Sequence, residues 1–86
     1  MANVIWKYDL GNDGIIDIKI PKSGEVLCAK NQHDRICIWV KVNSENDVEN
    51  RQFVVYGTGH PIDLPNLCYI DSVMFDKHVI VFVFNR

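Results

Sequence analysis

"RICIWVKV", residues Arg35 to Val42, decides the fold. Its apolar residues recur at every second position: Ile36, Ile38, Val40 and Val42 take one side, and Cys37, Trp39 and Lys41 the other. A period of two belongs to an extended strand with one face against a core, because successive Cβ atoms point to opposite faces. A helix would repeat apolar residues at i, i+3, i+4 and i+7, and no stretch of this sequence sustains that pattern. Working backward, "HD" (His33–Asp34) reads as a hairpin turn after a strand in "EVLCAKNQ". "IIDIKI" alternates in the same way, with Ile16, Ile18 and Ile20 inward and Asp17 and Lys19 outward, and "PKSG" closes it. "GNDG" (Gly11–Gly14) is a turn with an Asp-Gly step. Before it, "VIWKYDL" puts Val4, Trp6 and Tyr8 on one face and Ile5, Lys7 and Asp9 on the other.

Working forward, "NSENDVEN" (Asn43–Asn50) reads as a polar loop and "RQFVVYGT" as a fifth strand. "LCYIDSVMFD" and "HVIVFVFN" form a closing pair joined by a tight turn at Asp76–Lys77, and Ile62 to Leu67 has room for one short helical turn at most. About seven short strands at roughly ten-residue spacing imply a single all-β domain, a small antiparallel sandwich or barrel. The closing strand adds a condition. Val79, Val81 and Val83 face one way and Ile80, Phe82 and Phe84 the other, so both faces are apolar. Either the strand is central and covered on both sides, or one face meets another subunit; small domains with surplus apolar surface favour the second, a homo-oligomer.

Hydrophobic residues form 48% of the 86 positions and charged residues 23%, an ordinary globular balance. Nine Lys and Arg against eleven Asp and Glu leave a formal charge of -2, which argues against a general binder of nucleic-acid polymers. Cys28, Cys37 and Cys68 are odd in number and lack CxxC spacing, so they predict neither a disulfide framework nor a zinc site; each reads as a small buried hydrophobe in an apolar segment. "MANVIWKYDLGND" has no basic region ahead of a long apolar run, and the longest strongly apolar run, "VIVFVF", is too short to cross a membrane as a helix. The expected setting is the reducing cytoplasm, with no membrane partner, no metal and no cofactor.

The unusual stretch is "FVVYGTGHPIDLPN" (Phe53–Asn66). Gly57 and Gly59 lack a Cβ, so positive φ at both would let successive N–H groups converge into a nest for phosphate or carboxylate oxygens. Thr58 adds a hydroxyl, His60 a ring that donates, accepts or stacks, and Pro61 fixes the exit. The alternative is a tight turn whose glycines solve only a steric problem. Trp6, Trp39 and Tyr56 are candidate stacking platforms for a base, with Trp39 the freest because it lies opposite the aliphatic face of its strand. The competing reading makes them core or cross-strand partners. Arg35 and Arg51 stand at strand ends where a guanidinium can meet phosphate. His33 and His78 read as surface residues, and no constellation of nucleophile, base and oxyanion donors is present, so the chain is not expected to be an enzyme.

"IWKYDL", "CIWVKV", "FVVYGTGHPI" and the closing "YIDS" with "VIVFVF" resemble a family of small β-rich domains encoded by phages and prophages. The resemblance runs through nearly the whole chain, and Gly57 to Ile62 is its most specific part. It implies a non-enzymatic phage accessory protein. With the site chemistry above, that context favours a sponge for a phosphorylated ligand such as a cyclic-dinucleotide immune signal, by analogy with other phage immune-evasion proteins. The ligand residues would be Arg35, Trp39, Arg51, Tyr56, Gly57, Thr58, Gly59 and His60. The alternative is a protein-interaction or minor structural accessory domain with no small ligand.

Overall fold

The computed structural model describes residues 3–12, 14–77 and 79–86. Seven strands run in the order β1 (Asn3–Gly11), β2 (Gly14–Pro21), β3 (Glu25–Gln32), β4 (Arg35–Asn43), β5 (Val48–Gly57), β6 (Cys68–Asp76) and β7 (Val79–Asn85). They build two antiparallel sheets, β1-β4-β3 and β2-β5-β7-β6. The Cα envelope is only 15 Å thick, room for two layers and no more. The fold is a sandwich, and the barrel alternative falls away.

β4 carries the logic of the alternation. Ile36, Ile38, Val40 and Val42 point at the second sheet and are essentially solvent-free, meeting Ile20, Phe53, Val55, Val81 and Val83. β3 and β4 form the hairpin read from "HD": His33 and Asp34 have φ of 54° and 63°, and positive φ at both central residues is what a two-residue type I′ turn requires. "GNDG" behaves differently. β1 pairs with β4 and β2 with β5, so this segment crosses between sheets and forms no hairpin. Gly11 there has φ 80° beside a bulge, and its N–H donates to Asp9 Oδ1 at 2.7 Å.

The polar loop after β4 is shorter than its composition implies. Val48, Glu49 and Asn50 belong to β5, because they pair with Pro21, Ile20 and Lys19 of β2 and take their geometry from that partner. β7 resolves the question of its two apolar faces: it is central, between β5 and β6. Val81 and Val83 are buried, whereas Ile80, Phe82 and Phe84 are half-buried on the outer face, where Phe84 meets Tyr56 and Tyr69 edge-to-face with centroids 6.0 Å apart. The argument for a subunit contact from this strand therefore loses its necessity. The sandwich closes on one side where β3 meets β6: Ala29 N donates to Asp71 Oδ2 at 3.1 Å, and Asn31 Nδ2 to the Phe75 carbonyl at 2.6 Å. Of the cysteines, Cys37 is buried and Cys28 half-buried, but Cys68 is exposed at the start of β6, which corrects its reading as a buried hydrophobe. His33 is exposed as expected, and His78 lies outside the described residues.

Candidate functional site

β5 ends at Gly57, and the chain turns through Thr58 and Gly59 before His60 starts it back over the outer face of the four-stranded sheet. The turn closes with His60 N donating to the Gly57 carbonyl at 3.1 Å, and Gly59 takes φ 90° at its third position, where type II turns favour glycine. Gly57 serves another purpose. Its φ is not positive, contrary to the expected nest; instead a Cβ there would lie 3.2 Å from His60 Cε1. The missing side chain lets the imidazole come close against the backbone.

That contact fixes the chemistry of the ring. Gly57 N donates to His60 Nδ1 at 3.1 Å, so Nδ1 is the acceptor and the neutral imidazole carries its proton on Nε2. Thr58 is tied to β7, its N–H and its hydroxyl both donating to the Ile80 carbonyl, at 3.1 and 2.9 Å. The main-chain donors of Gly57, Thr58 and His60 are thus engaged inside the protein, and a convergent anion nest is not formed. What the exposed corner presents is His60 itself.

Two grooves share that ring. One, of about 370 Å³, has a floor of Ile15, Val54 and Tyr56 and a wall of Pro61, Asp63 and Leu64. Tyr56 Oη donates to Asp63 Oδ1 at 3.4 Å, a long bond that leaves the carboxylate accepting capacity. Val54 faces outward on β5, yet it is 1% exposed and lines this groove beneath the returning loop. The second groove, of about 420 Å³, lies between Asn12, Thr58, His60, Phe75 and Val79. Each is within the range of small-ligand sites.

The expected site residues divide by position. Tyr56, Gly57, Thr58, Gly59 and His60 are brought together. Arg35 stands at the same end, its guanidinium 3.7 Å from where a Cβ on Gly11 would lie, next in sequence to Asn12. Its Nε is paired with Asp9 Oδ2 at 2.6 Å, and that pairing holds the Asp9 carboxyl below the ordinary aspartate range. Arg51 is six residues up β5, about 20 Å away at strand rise. It is half-buried, donating to the Gly24 carbonyl at 2.7 Å over the Phe53 ring. Trp39 sits on the outer face of the other sheet, with Lys7 and Cys28 as cross-strand neighbours. Arg51 and Trp39 do not join the corner. Asn12, Ile15, Asp63 and Phe75 were not singled out from sequence; Asp63, in a loop between two prolines, had the only visible signal. No three His, Cys, Asp or Glu side chains among the described residues converge as a metal site. No helix among them is long and apolar enough to cross a membrane.

Fold and corner together define a small antiparallel β-sandwich with a paired cleft at one end, organised around His60. The chain belongs to the family described as Domain of unknown function (DUF7352), whose model matches residues 1–86. Neither a curated protein nor a solved structure matches it significantly.

Proposed function

We propose that this chain is a non-catalytic binding protein that captures a small phosphorylated ligand at the His60 corner. The observation that carries the reading is one exposed imidazole, its tautomer pinned by Gly57 N–H, lining two ligand-sized grooves. A planar, amine-bearing group such as a nucleobase suits the first groove, where Tyr56 and Ile15 supply apolar surface and Asp63 accepts hydrogen bonds. The phosphate belongs in the second, away from the Asp63 carboxylate, with Asn12 and Thr58 as polar walls and Arg35 at the same end. Capture lowers free ligand by affinity and stoichiometry, with no bond broken. In the phage setting implied by the sequence resemblance, the chain would act in the infected bacterial cytoplasm as a sponge for a cyclic-dinucleotide signal.

Thermal shift against a panel of cyclic and linear nucleotides tests this. Ligand at one hundred times the dissociation constant stabilises by about 2.7 kcal/mol, a rise of roughly 10–20 °C for a domain of this size. His60→Asn, whose amide oxygen can accept from Gly57 N–H but which lacks the Nε2 donor, should keep the apo melting temperature and lose the ligand shift. No shift anywhere in the panel would overturn the proposal and favour the second reading, a protein-interaction domain. That reading has its own observation in the exposed apolar residues Ile62, Tyr69 and Met74.

A further inference from the structure

A two-sheet sandwich has four edge strands, and here they are managed unequally. β3 and β6 meet each other through the Ala29–Asp71 and Asn31–Phe75 hydrogen bonds. β2 alternates Asp17 and Lys19 with its isoleucines and ends at Pro21, charges and a proline being common guards of an open edge. β1 keeps its guards, Lys7, Asp9 and the bulge after Asp9, in its second half, and its first four residues have neither a charge nor a proline. Asn3 to Lys7 are five consecutive exposed residues, and the middle three are apolar on both faces: Val4 is 37% and Trp6 42% exposed on the core side, Ile5 60% on the outer side. The one charge in the run is drawn away, since Lys7 Nζ donates to Gln32 Oε1 of β3 at 2.6 Å, across β4 from the open edge. The backbone donors and acceptors of this edge thus lack the usual obstacle to strand addition.

We infer that β1 pairs with β1 of a second copy of this chain, antiparallel, about a twofold axis at Ile5 perpendicular to the sheet. The occupant must bring apolar side chains to both faces and polar ones to both ends, and the run Asn-Val-Ile-Trp-Lys has that pattern read in either direction. In this register Ile5 lies opposite its own copy, Val4 opposite Trp6 of the other copy, and Asn3 opposite Lys7. No like charges face each other, and every exposed position from 3 to 7 gains a cross-strand neighbour. Moving the axis to Trp6 would instead set Lys7 against Ile5. The product is a continuous six-stranded sheet with a self-complementary interface, in which the two His60 corners remain separate from the contact. The surface is distinct from the outer face of β7.

Sedimentation velocity across a concentration series on the full chain decides it. The expected result is a dimer that dissociates on dilution. Ile5→Lys should be monomeric throughout, with an unchanged far-ultraviolet spectrum because the residue is exposed in the monomer, whereas Ile15→Lys on β2 should still dimerise. In a Cys68→Ser background, Ile5→Cys should form a disulfide-linked dimer on mild oxidation, as a residue facing its own copy requires. A wild-type monomer at every concentration overturns the inference. So does a dimer that survives Ile5→Lys, or one lost on Ile15→Lys instead.

Discussion

Gly24→Ala is the substitution whose consequence the geometry states most directly. Gly24 ends the turn from β2 to β3, its N–H donating to the Pro21 carbonyl at 3.2 Å after Ser23 at φ 69°. Its own φ lies outside the left-handed region, so a side chain is not excluded by conformation. Space excludes it. A Cβ would stand 2.9 Å from Ile20 Cγ2, 3.1 Å from Val40 Cγ1 and 3.2 Å from the Pro21 carbonyl oxygen. Ile20 and Val40 belong to different sheets and are both 0% exposed, so neither can retreat without disturbing the core. Overpacking of this kind costs about 1–3 kcal/mol, offset by about 0.4–1 kcal/mol from the stiffer unfolded chain. Taking the middle of each range, a net loss of about 1.3 kcal/mol corresponds to roughly 5–10 °C in Tm for a domain of this length. Urea unfolding should show a lower midpoint with unchanged slope. The cause is checked by a double-mutant cycle with Val40→Ala, which removes the struck Cγ1: Gly24→Ala should cost less in that background than in the wild type. Equal costs in both backgrounds, or a Tm within a degree of wild type, would refute the steric argument.

Two other outcomes follow from exposure and charge. Under native conditions a maleimide should label Cys68 first and Cys37 only on unfolding, because burial, with a smaller contribution from Asp9, pushes the Cys37 thiol up and shields it; a mass-resolved time course reads the order. The Asp9 carboxyl is held low chiefly by the Arg35 hydrogen bond and next by Gly11 N–H, so its contribution is present at neutral pH and lost as pH falls below about 4. Asp9→Asn should therefore melt slightly below wild type at pH 7, by an amount that salt reduces because the pair is exposed, and the two curves should converge in acid.

The strands were legible where a single residue decided inside from outside. Ile36, Ile38, Val40 and Val42 alternate against Cys37, Trp39 and Lys41, and burial follows that alternation without exception on the inner face. Partnership was not legible, because it depends on contacts distant in sequence. "GNDG" has the composition of a hairpin turn but joins strands of opposite sheets, and nothing within four residues tells a turn that doubles back from one that crosses over. Val48 to Asn50 look like loop because they are mostly polar; they are strand because β2 offers them a ladder. In sequence the glycines of the corner look conformational. One is, Gly59; the other, Gly57, is small so that an imidazole can approach it, a reason visible only when the ring is seen lying there.

The difference between those two glycines changes what the corner can recognise. A nest offers several N–H groups to one anion and needs no particular side chain; here the Gly57, Thr58 and His60 amides stabilise the turn and hold the ring, so recognition passes to the side chain they position. The bend is anchored at both ends by rigid structure: Thr58 is tied to the Ile80 carbonyl of a central strand, and Val54 and Phe53, three and four residues before Gly57, are at most 1% exposed. A ring so placed loses little entropy when it donates to a ligand, which favours affinity without many contacts. The same engagement weakens any case for binding driven by charge alone, since the near cation, Arg35, is already paired and the near anion, Asp63, repels phosphate from one of the two grooves. On the proposed function, the ligand of this corner would therefore bring a flat apolar body as well as its phosphate, and inorganic phosphate by itself would find too few partners here to be held.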